Sequence, residues 1–265
     1  MKKIEKYTAE AGEFVGVCNR LAQNQYVTSS GGNLAWRLDD DLLLITPTKL
    51  YKGDIDLQDL VFIDMNGNVI EGKRKPTGES PMYLKFFGLR QDVISVIHCH
   101  APHVCAMAIS RCENWLMRPI FPETTIEVGP VPMVPYAEPL TERLAENFVP
   151  FLAKYNSFLM ESHGLVTMSR GSIKETLMLV ELLEMSAKSI LQALRVGDIK
   201  ELNRQAVKDL SNTMCTRDLP LFGAPGINAS LEDLYFGSWK PQPNLSAKNN
   251  ADIQSTRRHD EGKCI

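Results

Sequence analysis

The sequence has no apolar run of the roughly 18 residues that a membrane-spanning helix needs. Its first residues, Met1 to Phe14, pass from lysines into charged, amphipathic sequence without the apolar core of a secretory signal. Both absences lead to the expectation of a cytoplasmic protein with no membrane partner. Cysteine pairing is also missing: Cys18, Cys99, Cys105, Cys112, Cys215 and Cys264 make no CxxC pair and no small disulfide framework. Reduced thiols are expected. Positive charge is not in excess, because 29 Lys and Arg face 32 Asp and Glu for a net charge of −3. With a pI near 6.0 and scattered cations, no basic stripe offers itself to nucleic acid, and small polar substrates fit better than polyanions. No internal repeat is present.

What is present is 265 residues with 44% hydrophobic content, enough for a substantial core. Residues 3–23 carry Ile4, Tyr7, Ala11, Phe14, Val15, Cys18, Leu21 and Ala22 at helical spacing. A turn at Ser29 to Asn33 follows, then two predicted hairpins: 33–38 with 42–46, and 61–64 with 69–70. Thr77 is a candidate N-cap for a helix over 79–90, whose first-turn N–H groups favour an anion. Val93 to His100 reads as a buried strand turning polar at its end. An apolar helix near 102–110, strands near 130–135 and 157–167 around a helix at 141–154, and a long helix over 173–194 complete the pattern. Strands interleaved with helices through 1–215 predict a single α/β or α+β domain. Residues 216–239 read as an ordered arm, with Leu219, Leu221, Phe222 and the run 231–236 as its apolar surface, and 240–265 as a disordered tail.

The chain has only five histidines, and two, His98 and His100, lie two apart on a predicted strand. Their imidazoles leave one face together while Cys99 points away. Alone, such a pair serves equally as metal ligands or as a polar strand edge. His163 sits where an apolar strand breaks at Gly164, a glycine that lets a backbone pass close to a site; alone it also reads as a core histidine. His103 reads either as a group supporting the histidine pair or as helix surface, and is assigned to the surface; His259 belongs to the tail. Three neutral imidazoles with an open fourth position are the arrangement of a catalytic zinc, whose Lewis acidity suits cleavage of a bond beside a carbonyl. Glu79 is a candidate base before the histidine strand, with a dipole-favoured helix-start glutamate as its plain alternative.

Four segments in order, Gly31-Gly32-Asn33-Leu34-Ala35, Ile45-Thr46-Pro47-Thr48, Pro76-Thr77-Gly78-Glu79, and His98-Cys99-His100 with His163-Gly164, resemble the class II aldolase/adducin family over roughly residues 8–195. The resemblance implies a three-layer α/β fold with a central, mainly antiparallel sheet flanked by helices. It implies zinc, or another divalent metal such as manganese or cobalt, on His98, His100 and His163, with Glu79 as acid/base. It places a substrate phosphate against Gly32, Asn33, Thr48, Thr77 and Gly78, in keeping with anion binding at a helix N-terminus. A homotetramer with sites at subunit contacts is implied too, and Tyr235, which reads first as a packing residue, becomes a candidate to reach a neighbouring site. The activity it implies is aldol cleavage of a small sugar phosphate such as a ketose 1-phosphate. 4-Epimerisation, dehydration or decarboxylation at the same metal, and a non-catalytic adducin-like binding module, are the alternatives.

Three positions depart from the family pattern. Lys49 follows Thr48 where phosphate-binding relatives have a small residue, so it either clasps an anion or closes the pocket. Pro76-Thr77-Gly78-Glu79 replaces the aldolases' Pro-Ser-Ser-Glu and removes a hydroxyl donor. Phe121 stands near the place of the aldolases' proton-donating tyrosine, and Glu123 is the candidate to take over that role, with an exposed loop glutamate as the alternative.

Overall fold

The apolar spacing of the opening segment produces two helices, α1 (Lys3–Lys6) and α2 (Thr8–Gln23), and α2 buries Ala11, Phe14, Val17, Cys18, Leu21 and Ala22 along one stripe. The structure is a computed structural model, and it describes residues 2–111, 113–217 and 230–237. After α2 come β1 (Asn33–Asp39), β2 (Leu42–Ile45), β3 (Val61–Ile63) and β4 (Val69–Glu71), the two hairpins expected from the sequence. Then follow α3 (Ser80–Leu89), β5 (Ser95–Cys99), α4 (Pro102–Ile109), β6 (Met133–Val134), α5 (Glu142–Leu152), β7 (Ser157–Met160), β8 (Gly164–Ser169) and α6 (Ile173–Ala193). Finally come α7 (Arg204–Arg217) and α8 (Leu231–Phe236). The long helix begins at a capping box, in which Ser172 and Glu175 satisfy each other's backbone N–H groups.

The strands form one eight-stranded sheet in the order β4-β3-β2-β1-β5-β8-β7-β6, antiparallel throughout except for the β6–β7 pair. Helices cover both faces. Leu34, Leu44, Ile97, Cys99 and Leu165 pack with α2, α4 and α6, whereas Ala35, Leu43, Ile45, Val96 and Val166 pack with α3 and α5. This is the three-layer α/β architecture with a mainly antiparallel centre. β5 lies in mid-sheet, so His98 is flanked by Asn33 of β1 and Val166 of β8. Alternation along β5 sends Cys99 to the α2 face and His98 to the opposite one. No helix among the described residues is long and apolar enough to cross a membrane.

Several local readings change. The strand expected over 157–167 is a hairpin, β7 and β8, reversing at Glu161 to His163 with Ser162 in a left-handed conformation (φ 56°). The helix expected from Glu79 starts at Ser80, and Glu79 itself holds the N-cap position. Thr77 stays beside that end, its hydroxyl facing the Glu79 N–H at 3.4 Å. α7 extends the domain's helices to Arg217, and α8 packs on it, Arg204 donating to the Phe236 carbonyl at 3.1 Å. Burial pushes the Tyr235 phenol up, in keeping with a packing role within its own chain. Leu219, Leu221 and Phe222 of the expected arm, residues 238 and 239 at its end, the expected tail 240–265 with His259 and Cys264, and Cys112 lie outside the described residues.

Candidate metal centre and its pocket

The β1–β2 and β3 region brings two loops of the sequence pattern together. Pro47 bridges Pro76, Thr77 N–H donates to the Thr46 carbonyl at 3.0 Å, and Thr48 N–H donates to the Lys75 carbonyl at 3.0 Å. Thr48, Thr77 and Gly78 therefore share one wall. Gly32, in a left-handed conformation (φ 68°), turns the chain so that Asn33 enters β1 beside His98; a side chain there would meet Val27 at 2.6 Å and the His98 carbonyl at 2.9 Å. The end of β5 and the β7–β8 turn supply the histidines.

His98, His100 and His163 form the one cluster of this kind among the described residues, with ligand atoms all within 4.8 Å of one another. The Nε2 atoms of His98 and His100 are 3.1 Å apart. His98 Nδ1 lies 2.9 Å from the Leu165 carbonyl, which can only accept, so the proton sits on Nδ1 and the Nε2 lone pair is presented to the cluster. Burial, reinforced by the neighbouring imidazoles, lowers His98 and His100 to about 3 and lowers His163 as well. All three are neutral near pH 7. His163 Nδ1 is buried with no hydrogen-bond partner among the described residues. Three neutral imidazoles, one lone pair fixed toward the others and one orphaned ring nitrogen are what a divalent cation needs.

Glu79 is buried beside them, with Oε2 3.7 Å from His98 Nε2 and Oε1 3.9 Å from His163 Nε2. Asn33 Nδ2 donates to Glu79 Oε2 at 2.8 Å. Tyr83, four residues after Glu79 and on the same face of α3, donates its hydroxyl to the Asn33 side-chain and backbone oxygens. That donation fixes the Asn33 amide so that its NH₂ end faces the carboxylate. Burial raises the Tyr83 phenol well above its usual range, so it remains a donor.

The histidines and Glu79 open into a cavity of about 270 Å³ that Asn33, Thr48, Lys49, Thr77 and Gly78 also line. A larger cleft of about 360 Å³ along Leu57, Leu60, Phe62 and Glu71 carries no such cluster. Lys49, like Leu140, is a non-glycine residue with positive φ (56° and 67°). The Leu140 side chain lies against Gly78, where an added Cβ would sit 2.9 Å from it. Glu123 is not brought to the cluster: it is exposed at the start of a π-helical turn, Thr124–Val128. Phe121 packs against the α2-side core. His103 keeps 34% of its side chain exposed, as its surface assignment expects, but its Nδ1 lies 2.7 Å from the buried Glu184 carboxylate, which also accepts the His103 and Val104 N–H groups. Lys52 and Leu140 line the cavity without having been singled out in the sequence, and no local pattern marks either. Tyr83 was legible in principle from its spacing to Glu79.

A family model described as the class II aldolase and adducin N-terminal domain matches residues 12–191. The chain is 33% identical over 172 residues to L-fuculose phosphate aldolase of Methanococcus maripaludis, spanning 65% of this chain and 91% of that protein. It is 31% identical over 203 residues to 3-oxo-tetronate 4-phosphate decarboxylase of Pectobacterium atrosepticum, spanning 72% and 91%. Among solved structures, YgbL from Klebsiella pneumoniae superposes with a TM-score of 0.71 at 30% identity over 77% of this chain and 98% of that one.

Proposed function

The chain belongs to the class II aldolase and adducin family, and from that premise we propose a divalent-metal-dependent lyase that cleaves a C–C bond in a small sugar phosphate. The carrying observation is the juxtaposition of three neutral imidazoles with the buried, hydrogen-bonded Glu79 in one cavity. A binding scaffold has no physical need for that combination. His98, His100 and His163 are the proposed ligands of zinc or a similar ion, which when bound supplies Lewis acidity for negative charge developing on substrate oxygens.

The chain's own residues do the rest. Gly32, Asn33, Thr48, Lys49, Thr77 and Gly78 are proposed to seat the phosphate end, at the N-terminal end of α3 where the helix dipole favours an anion. In the retro-aldol reading Glu79 takes the proton of the C4 hydroxyl, the C3–C4 bond breaks, and an aldehyde leaves. Glu79, oriented by Asn33 and Tyr83, then returns a proton to the electron-rich carbon of the remaining fragment.

Decarboxylation is the second reading. It is favoured by the relatives named 3-oxo-tetronate 4-phosphate decarboxylase and by Phe121 at the approximate place of the aldolases' tyrosine, since loss of CO₂ from a carboxylate requires no second residue to exchange a proton with a hydroxyl group or aldehyde. Glu79 performs the same final protonation in both. A homotetramer in the cytoplasm is the proposed setting, and Glu123 the proposed additional acid if a partner subunit completes the site.

The test is elemental analysis of wild-type and His98→Ala protein, with both assayed for aldehyde release from ketose 1-phosphates and for CO₂ release from phosphorylated 3-oxo acids. About one metal per chain, lost in the variant together with aldehyde release, supports the aldolase. CO₂ without aldehyde moves the assignment to the decarboxylase. Metal at background level in both proteins refutes a catalytic role.

A further inference from the structure

Lys52 is 1% exposed and yet carries an ammonium group on the wall of the metal-site cavity. It lies in a 3₁₀ turn, Lys52–Asp54, packed against α2. Its Nζ donates to the Leu50 carbonyl at 2.9 Å and the Ser30 carbonyl at 3.2 Å. An ammonium has three donors. The third has no partner, and Lys52 forms no ion pair, among the described residues. Taking an ammonium out of water without a counter-charge is costly, and two carbonyl dipoles offset only part of that cost. If Lys52 served only to join two loops, a neutral amide would do so without the ionic penalty. The Ser30 carbonyl also locates the charge, because the next residue, Gly31, lies against the His100 ring, where an added Cβ would be 3.0 Å from Cε1.

We propose that Lys52 is a specificity-determining residue whose free N–H meets an anionic oxygen of the substrate, carboxylate or phosphate, on the His100 side of the cavity. The proposal rests on the reading that this cavity takes an acidic sugar derivative. It identifies a charge-selecting position distinct from the Thr77–Gly78 wall, against which the Leu140 side chain lies. Burial lowers Lys52 from its ordinary 10.5. The titratable groups whose charge it feels are Cys18 on α2, Glu79 at the start of α3, and His98 and His100 at the end of β5. Cys18 is raised to about 12 and the two histidines are lowered to about 3, so these three keep their neutral forms over the range in which Lys52 titrates. A bound anion favours the charged lysine and raises its midpoint.

The experiment is calorimetric titration of the zinc-loaded full chain with inorganic phosphate and, separately, with glycolate, for wild type, Lys52→Gln and Lys52→Arg. Glutamine keeps an N–H for the carbonyls of Ser30 and Leu50 but removes the charge. The expected result is a tenfold or greater loss of affinity in Lys52→Gln for one probe, with zinc content and melting temperature retained, and partial recovery in Lys52→Arg. The probe that responds identifies the group that Lys52 meets. Affinities within twofold of wild type for both probes overturn the proposal. Should the glutamine variant not fold, ¹³Cε-lysine spectra of the wild type decide. Burial lowers Lys52 below its ordinary 10.5, and a saturating probe must move its midpoint upward; a midpoint that stays in place with both probes overturns the proposal. Product analysis is independent of these readouts, so an active lyase with unresponsive Lys52 sinks this inference alone.

Discussion

Replacing Gly164 by alanine tests how tightly the fold is fitted around the histidines. Gly164 opens β8 directly opposite the end of β5, and an added methyl would lie 2.6 Å from the Cys99 carbonyl, 2.7 Å from His100 Cδ2 and 3.2 Å from His98 Cε1. Ordinary van der Waals contact begins near 3.4 Å, so the His100 ring must retreat by about 0.7 Å. The carbonyl contact involves backbone and cannot be relieved by a side-chain rotation. It requires β8 to move from β5, against the Cys99–Leu165 pairing. Metal–ligand distances tolerate only about ±0.2 Å. Zinc affinity, measured by chelator competition, is therefore expected to fall by roughly 100-fold, the upper range of disturbing a ligand's supporting shell. Overpacking should lower the stability of the chelator-treated protein by ~1–3 kcal/mol. At ~2–4 °C per kcal/mol for a chain of this class, the melting temperature drops by several degrees. Gly88→Ala, in α3 with nothing within 4 Å of the new methyl, is the control and should raise stability by ~0.5–1 kcal/mol. A Gly164→Ala protein with zinc affinity within threefold of wild type and an unchanged melting temperature would refute the reasoning.

Glu79→Gln should retain metal, because the three imidazoles are untouched, but lose on the order of 10²–10⁴ in kcat; metal analysis beside a turnover assay checks the split, and unchanged kcat removes Glu79 as the proton carrier. Chelator-treated protein should lose stability as pH falls from 6.5 toward 3. His98 and His100 remain neutral in the fold down to about 3, whereas in the unfolded chain they bind protons near 6.5, so the unfolded state holds more protons in that window and acid favours it. Denaturant midpoints measured across this range should rise with pH and flatten above 6.5 as far as these two groups are concerned. Glu184→Gln leaves one acceptor oxygen for three N–H donors, the two backbone amides and the ring of His103. A loss of ~1–3 kcal/mol is expected in chemical denaturation, and a change below ~0.5 kcal/mol would show that the cap of α4 does not depend on the charge.

The residues of the candidate site were legible to different degrees. His98 and His100 could be placed on one face because strand periodicity is a local property, and β5 follows it, with Cys99 buried on the other side. Glu79 and His163 were ambiguous one at a time, since a helix-start carboxylate and a core histidine have ordinary structural uses. Family resemblance joined them in the sequence reading, and packing joins them in space. Lys52 and Leu140 carried no signal because their roles depend on what faces them: the Ser30 carbonyl in one case and Gly78 in the other. The pairing of His103 carried no signal for the same reason, its partner Glu184 being 81 residues away on α6.

By itself the sequence determined the elements whose information is local: the amphipathic stripe of α2, the two hairpins, the long helix α6 and the alternation that points His98 and Cys99 to opposite layers. It also determined family membership, through four motifs that no single element would specify. Tertiary structure alone decided that Pro47 pairs with Pro76, that Asn33 orients Glu79 under the hold of Tyr83, and that His163 reaches His98 across the β7–β8 turn. These are contacts between residues tens of positions apart. Their existence follows from which strands share the sheet, and neither periodicity nor spacing along the chain encodes that.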